Sequence, residues 1–154
     1  VTRRLLLVLA LLASGCGYTI GDLYEFRNIQ VPVFDNTTER HTEEFDLTPI
    51  VSREMAARGL RVNSPDAPVV LKGRITDIKT PTVVTQQQNT EVVGSLAVRV
   101  EIRLVNRDNR ELWKDERTET VSFTSFRGQT IDTARMEAYN RIARWVVAHF
   151  EKEW

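Results

Sequence analysis

Residues 96–104 read LAVRVEIRL, and no other stretch restricts the fold so tightly. Leu96, Val98, Val100, Ile102 and Leu104 fall on one parity, Ala97, Arg99, Glu101 and Arg103 on the other. A two-residue period belongs to a β-strand, since a helix turning every 3.6 residues would scatter both sets around its axis. One apolar and one polar face mark a half-buried strand of an antiparallel sheet. Such a sheet must have its apolar face covered by a second layer.

The rest of the chain supplies strands for the sheet and two helices for the cover. Ile29, Val31 and Val33 alternate with other residues, and Pro32, which cannot donate to a ladder, places that strand at a sheet edge. Val69, Leu71 and Ile75 alternate with Val70, Lys72, Arg74 and Thr76, with Gly73 marking a close approach or a bulge. Residues 106–110 read as a turn, and 111–123 as a mostly polar strand with Leu112, Trp113, Val121 and Phe123 at its ends. A first helix falls within 43–58, on a coarse stripe of Phe45, Ile50, Val51, Met55 and Ala56. Pro49 permits either a helix starting at Thr48 as N-cap or a longer one kinked there. Ile131, Ala134, Ala138, Ile142, Trp145, Val146, His149 and Phe150 recur at helical spacing and form the stripe of a closing helix. The expected architecture is α+β: a two-layer sandwich with a four-stranded, mainly antiparallel sheet and two helices on one face, in the order β-α-β-β-β-α.

The chain opens VTRRLLLVLALLASGC. Two arginines precede an apolar run far short of the roughly 20 residues that span a bilayer. This is the pattern of a secretory signal, with small residues leading to a cleavage site. Cys16 is the only cysteine, so it has no intramolecular disulfide partner. Its place directly after the small residues reads as a lipobox, although Ala13 rather than a leucine stands three residues before it. Residues 1–15 are thus expected to be a cleaved signal peptide, residues 16–26 a lipidated tether, and 27–154 the folded domain. Cys16 would carry an N-acyl diacylglyceryl lipid, whose several chains give stable anchoring. Gly17 rather than aspartate after the cysteine points to the outer membrane.

The formal charge is +0, and without Arg3 and Arg4 the remainder is slightly acidic. Nothing resembles the basic field of a nucleic-acid binder. No nucleophile–base pattern stands out, so no catalytic residue, cofactor or metal is assigned. His149 lies on the apolar stripe and reads as a boundary or core histidine, and His41 lies in a charged, solvated segment. Glu43, Glu44 and Asp46 are close together, but no histidine or cysteine joins them into a metal site. Lys72, Arg74, Arg99 and Arg103 occupy outward positions of two strands expected to be neighbours, with Glu101 among them. Such a face can hold phosphate or carboxylate groups; the plainer reading is a solvated face with cross-strand charge pairs.

Three segments carry a family resemblance. Cys16-Gly17-Tyr18 resembles the processed start of the lipopolysaccharide-assembly lipoproteins (LptE). The stretches IQVPVFDNTT at 29–38 and DAPVVLKGRI at 66–75 are similar to that family's first and second strands. The alternating strand and the closing helix complete the order over nearly the whole mature length. The resemblance implies a non-enzymatic outer-membrane lipoprotein. It would plug the lumen of an LptD-type β-barrel, assist the barrel's assembly, and support lipopolysaccharide insertion at the cell surface. It also implies binding of lipopolysaccharide, for which Lys72, Arg74, Arg99 and Arg103 are the candidates. The Gln- and Thr-rich stretch 82–91 would suit hydrogen bonding to a barrel wall. The alternative is a lipid-anchored periplasmic adaptor or regulator of a cell-wall synthase or secretion complex.

Overall fold

The structure, a computed structural model, describes residues 23–80, 84–85, 92–124 and 127–151. Cys16, the expected signal peptide and most of the tether and of the stretch 82–91 lie outside the described residues. In chain order the elements are β1 (Asn28–Gln30), β2 (Asp35–Asn36), α1 (Glu43–Ala57), β3 (Arg61–Val62), β4 (Val69–Lys79), β5 (Val84–Thr85), β6 (Val92–Asn106), β7 (Glu111–Thr124) and α2 (Ile131–Ala148). The architecture is α+β, but the four-stranded count and the simple β-α-β-β-β-α order do not hold. The expected first strand is split into β1 and β2, and the two-residue strands β3 and β5, the latter within the β-prone stretch 80–90, add to the count. The sheet is mixed: β1 runs parallel to both β3 and β4, and β2 parallel to β4, while β4, β5 and β7 pair antiparallel with β6.

Pro32 does not mark an outer edge. β1 lies between β3 and β4, and Pro32 falls in the break between β1 and β2. The backbone donors on either side of it find side-chain acceptors instead of a ladder: Val31 N–H donates to Asn63 Oδ1 at 2.8 Å and Phe34 N–H to Thr48 Oγ1 at 3.0 Å. The break thereby keeps its buried amides satisfied, as a folded interior requires. It also turns the buried Phe34 ring over Gly73, where an added Cβ would overlap the ring atoms. Gly73 is therefore the close approach, and the irregularity in β4 falls between Ile75 and Asp77 instead.

α1 is the longer of the two helices the sequence allowed. It begins at Glu43 and runs through Pro49. Thr48 is inside it rather than capping it, its hydroxyl donating back to Glu44 C=O at 2.7 Å while accepting from Phe34. Pro49 removes the donor that the Phe45 carbonyl would otherwise receive, on a side of the helix where Phe45 and Pro49 are both exposed. Leu47, not Phe45 or Ala56, joins Ile50, Val51 and Met55 in the core. α2 starts at a capping box in which the Thr130 and Thr133 side chains accept from each other's backbone N–H. It buries Ala134, Ala138, Tyr139, Ile142, Ala143, Val146 and Val147.

Both helices share one core with the inward residues of β4 and β6, among them Leu71, Ile75, Val98, Val100 and Ile102. They are tied at the start of α1 by the buried Glu43, which accepts from Tyr139 Oη at 2.6 Å and from Arg135 Nη1 at 3.2 Å. Burial and the neighbouring carboxylate push the Tyr139 phenol well above its ordinary value, so it remains a donor.

Candidate functional site

Pairing register assigns every side chain of the three long strands to a face. Opposite the helices, three rows cross the sheet. Lys72, Arg103 and Lys114 stand side by side in one row, Arg74, Glu101 and Glu116 in the next, and Asp77, Arg99 and Thr118 in the third. With strands about 4.8 Å apart, the three cations of the first row span roughly 10 Å. No helix among the described residues covers this face; its residues are exposed or half-buried.

The four cations singled out by parity thus do come together. Parity within β4 and β6 suffices for Lys72, Arg74, Arg99 and Arg103. Lys114 was overlooked, although the signal was present: Trp113, Val121 and Phe123 turn inward on odd numbers, which sends Lys114 outward.

Each cation has a definite partner. Lys72 Nζ donates to the neutral Asn109 Oδ1 at 2.7 Å, Asn109 being held in the left-handed region (φ 60°) by the 106–110 turn. Arg74 Nη2 meets Asp35 Oδ2 at 3.4 Å, and its buried Nε finds no acceptor among the described residues. Arg99 Nε lies 3.2 Å from Thr118 Oγ1 and 3.7 Å from Glu116. Glu101 takes Lys114 Nζ at 2.6 Å on one oxygen and Arg103 Nε at 3.4 Å on the other. The hydrogen bond from Lys114 and the surrounding cations hold the Glu101 carboxyl below the usual carboxylate range. Chemically the face offers guanidinium and ammonium donors to an anion, with no nucleophile or base aimed at a common point.

β7 is mostly polar, as expected, and its charges extend to the helix-facing side. Asp115, Arg117 and Glu119 pair in register with Ile102, Val100 and Val98 and so point inward. Glu119 is buried against Arg117 at 2.5 Å, and the Arg117 guanidinium lies 5.9 Å from the Trp145 ring centre. β7 pairs only with β6 among the described residues, and inward charges are a common protection of such an edge. His149 occupies the boundary position expected of it. It hydrogen-bonds Trp145 C=O at 3.0 Å and Asp115 at 2.8 Å, with Trp113 and Trp145 at its ring. A 620 Å³ cavity beside it is lined by Glu25, Phe26, Trp113, His149 and Phe150. Glu43 and Glu44 are separated by their roles, Glu43 bonding Tyr139 and Glu44 accepting from Asn36 Nδ2 at 2.7 Å. No cluster of three or more metal-ligating side chains occurs among the described residues, and no helix there is long and apolar enough to cross a membrane.

Comparison with known proteins bears on the fold and the family. The model of the lipopolysaccharide-assembly family LptE matches residues 26–149. No curated protein matches the chain. Among solved structures, the PelC dodecamer from Paraburkholderia phytofirmans is 16% identical, covering 85% of this chain and 92% of its own, with a TM-score of 0.56. The hypothetical protein CT253 from Chlamydia trachomatis is 15% identical over 79% of this chain and 94% of its own, at 0.55. A minor lipoprotein from Acinetobacter baumannii is 14% identical over 81% and 90%, at 0.50. Identities this low establish a common fold and nothing more. The family match spans nearly the whole folded domain, and on it the chain belongs to the LptE family of lipopolysaccharide-assembly lipoproteins, whose work is assembly and not catalysis.

Proposed function

We propose that this lipoprotein, held at the outer membrane by an N-acyl diacylglyceryl lipid on Cys16, sits in the lumen of an LptD-type β-barrel. There it plugs the barrel, assists its assembly, and offers its open sheet face to the phosphates of lipopolysaccharide. The observation that carries the lipopolysaccharide part is the Lys72–Arg103–Lys114 row on a face that no helix among the described residues covers. Arg74 and Arg99 stand in the adjoining rows. A guanidinium presents paired donors to a phosphate and an ammonium adds a point charge, so the set suits a phosphorylated sugar headgroup. The plug role is supported by family membership and by a charge-mixed exterior, which suits the wet interior of a large barrel.

The test has two arms. Affinity purification from detergent-solubilised outer membranes is expected to recover a heat-modifiable barrel as the dominant partner and an acylated Cys16 by mass. Recovery of a cell-wall enzyme in its place would overturn the plug reading in favour of the adaptor. Lys72→Glu with Arg103→Glu is expected to weaken lipopolysaccharide binding at least about tenfold, since two charge-assisted hydrogen bonds are lost. Unchanged affinity would remove the phosphate-binding face.

A further inference from the structure

We propose that Glu101 is a resident counter-anion of the basic face, occupying Lys114 and Arg103 until a doubly charged phosphate displaces it, and that it thereby selects phosphomonoester lipids over singly charged ones. This rests on the phosphate-binding reading above and adds to it the device that sets which anion is accepted.

Four features of the face lead there. Glu101 lies on the central long strand, with Arg74 beside it in register on β4 and Arg103 two residues along β6. Its side chain is only 14% exposed, against 35% for Arg103 and 47% for Lys114, so the acid sits beneath the cations it engages. Its two oxygens are divided, one to each cation, an arrangement that neutralises the row from below while leaving the cations at the surface. Lys72, in the same row, is bound only by a neutral amide at the turn, so one end of the row stays attractive to an incoming anion.

The consequence is a competition. The cations of these pairs stand well exposed to water, and such ion pairs are weak, each contributing no more than about 1 kcal/mol. A phosphomonoester carries roughly −1.5 to −2 charges and three acceptor oxygens near neutral pH. It can engage Lys72, Arg103 and Lys114 together and replace both contacts of Glu101. A phosphodiester headgroup with a single charge recovers too little to do so. A phosphate bound across the row also sits near the Glu101 carboxylate, and that repulsion must be outweighed by the ligand's second charge.

The experiment measures binding of the full mature chain carrying Cys16→Ser, so that no acyl chain of its own inserts, to phosphatidylcholine vesicles doped with either lipid A bearing both phosphates or phosphatidylglycerol. Wild type is expected to prefer the lipid A vesicles. Glu101→Gln, close to isosteric, is expected to tighten phosphatidylglycerol binding about fivefold, the equivalent of one released surface ion pair, and to narrow the preference. A double-mutant cycle on phosphatidylglycerol binding guards against a purely structural effect: Lys114→Gln should cost little affinity for that lipid in wild type and clearly more in the Glu101→Gln background, where Lys114 is released. If Glu101→Gln leaves both affinities unchanged or weakens both, Glu101 merely organises the cations and the proposal fails. If instead Lys72→Glu with Arg103→Glu leaves lipid A binding intact, the phosphate-binding face itself is wrong. The two failures are read from different variants.

Discussion

Replacing Gly73 by alanine tests how β4 is held against the interrupted first strand. Gly73 does not adopt a positive φ, so alanine meets no backbone penalty there and should favour the strand. The obstacle is the Phe34 ring, which the new methyl would overlap and which must retreat by more than about 1 Å to reach ordinary van der Waals separation. Phe34 is 2% exposed, and its own N–H is held by Thr48, so it cannot simply swing to solvent. Overpacking of a filled core costs about 1–3 kcal/mol, and full loss of a buried phenylalanine about 3–5. The variant is therefore expected to lose about 2–3 kcal/mol, seen as a lower urea midpoint with an unchanged slope. Phe34→Ala alone should cost more, and adding Gly73→Ala to it should cost almost nothing further, because the ring is gone. A Gly73→Ala variant within about 0.5 kcal/mol of wild type, or costs that add in the double variant, would refute the reasoning. Gly73 stands between Lys72 and Arg74, so the same variant should also disturb anion binding on the outer face.

Tyr139→Phe removes the 2.6 Å hydrogen bond to Glu43 and leaves that buried carboxylate to Arg135 alone; a loss of about 1.5–3 kcal/mol is expected in the same denaturation assay, and a change under about 0.5 would contradict the inter-helix tie. Stability should also fall in acid. The Asp115 carboxyl is held low mainly by the Glu116 N–H and also by His149, and Glu101 mainly by Lys114. Their folded values lie below the unfolded ones near 4, so their contribution is complete above that value and vanishes as pH falls through the folded values. Melting temperatures of wild type and Asp115→Asn should therefore converge as pH falls below about 4, and parallel curves would exclude the effect.

Much of the fold was legible because its signals are local. The parity of 96–104 follows from the pleat, and the capped stripe of α2 from the helical turn; neither depends on a distant residue. Parity likewise brought Lys72, Arg74, Arg99 and Arg103 to one face, and the order of elements carried the family resemblance. What escaped depended on contacts far apart in the chain. Nothing near Pro32 reveals that Asn63 and Thr48 will satisfy the amides around it and split the strand. The start of α1 at Glu43 depends on Tyr139 and Arg135, more than 90 positions away. Strands β3 and β5, two residues each, are too short to show a period and exist only because β1 and β6 offer them an edge. The inward turn of Asp115, Arg117 and Glu119 follows the odd parity of Trp113 and Val121, but a run of charges masks that parity. So the sequence alone determined the long strands, the closing helix, and which residues share a side of β4 and of β6. The tertiary structure decided which strands are neighbours, and with that how Glu101 meets Lys114, because register is a property of two segments and no single stretch encodes it.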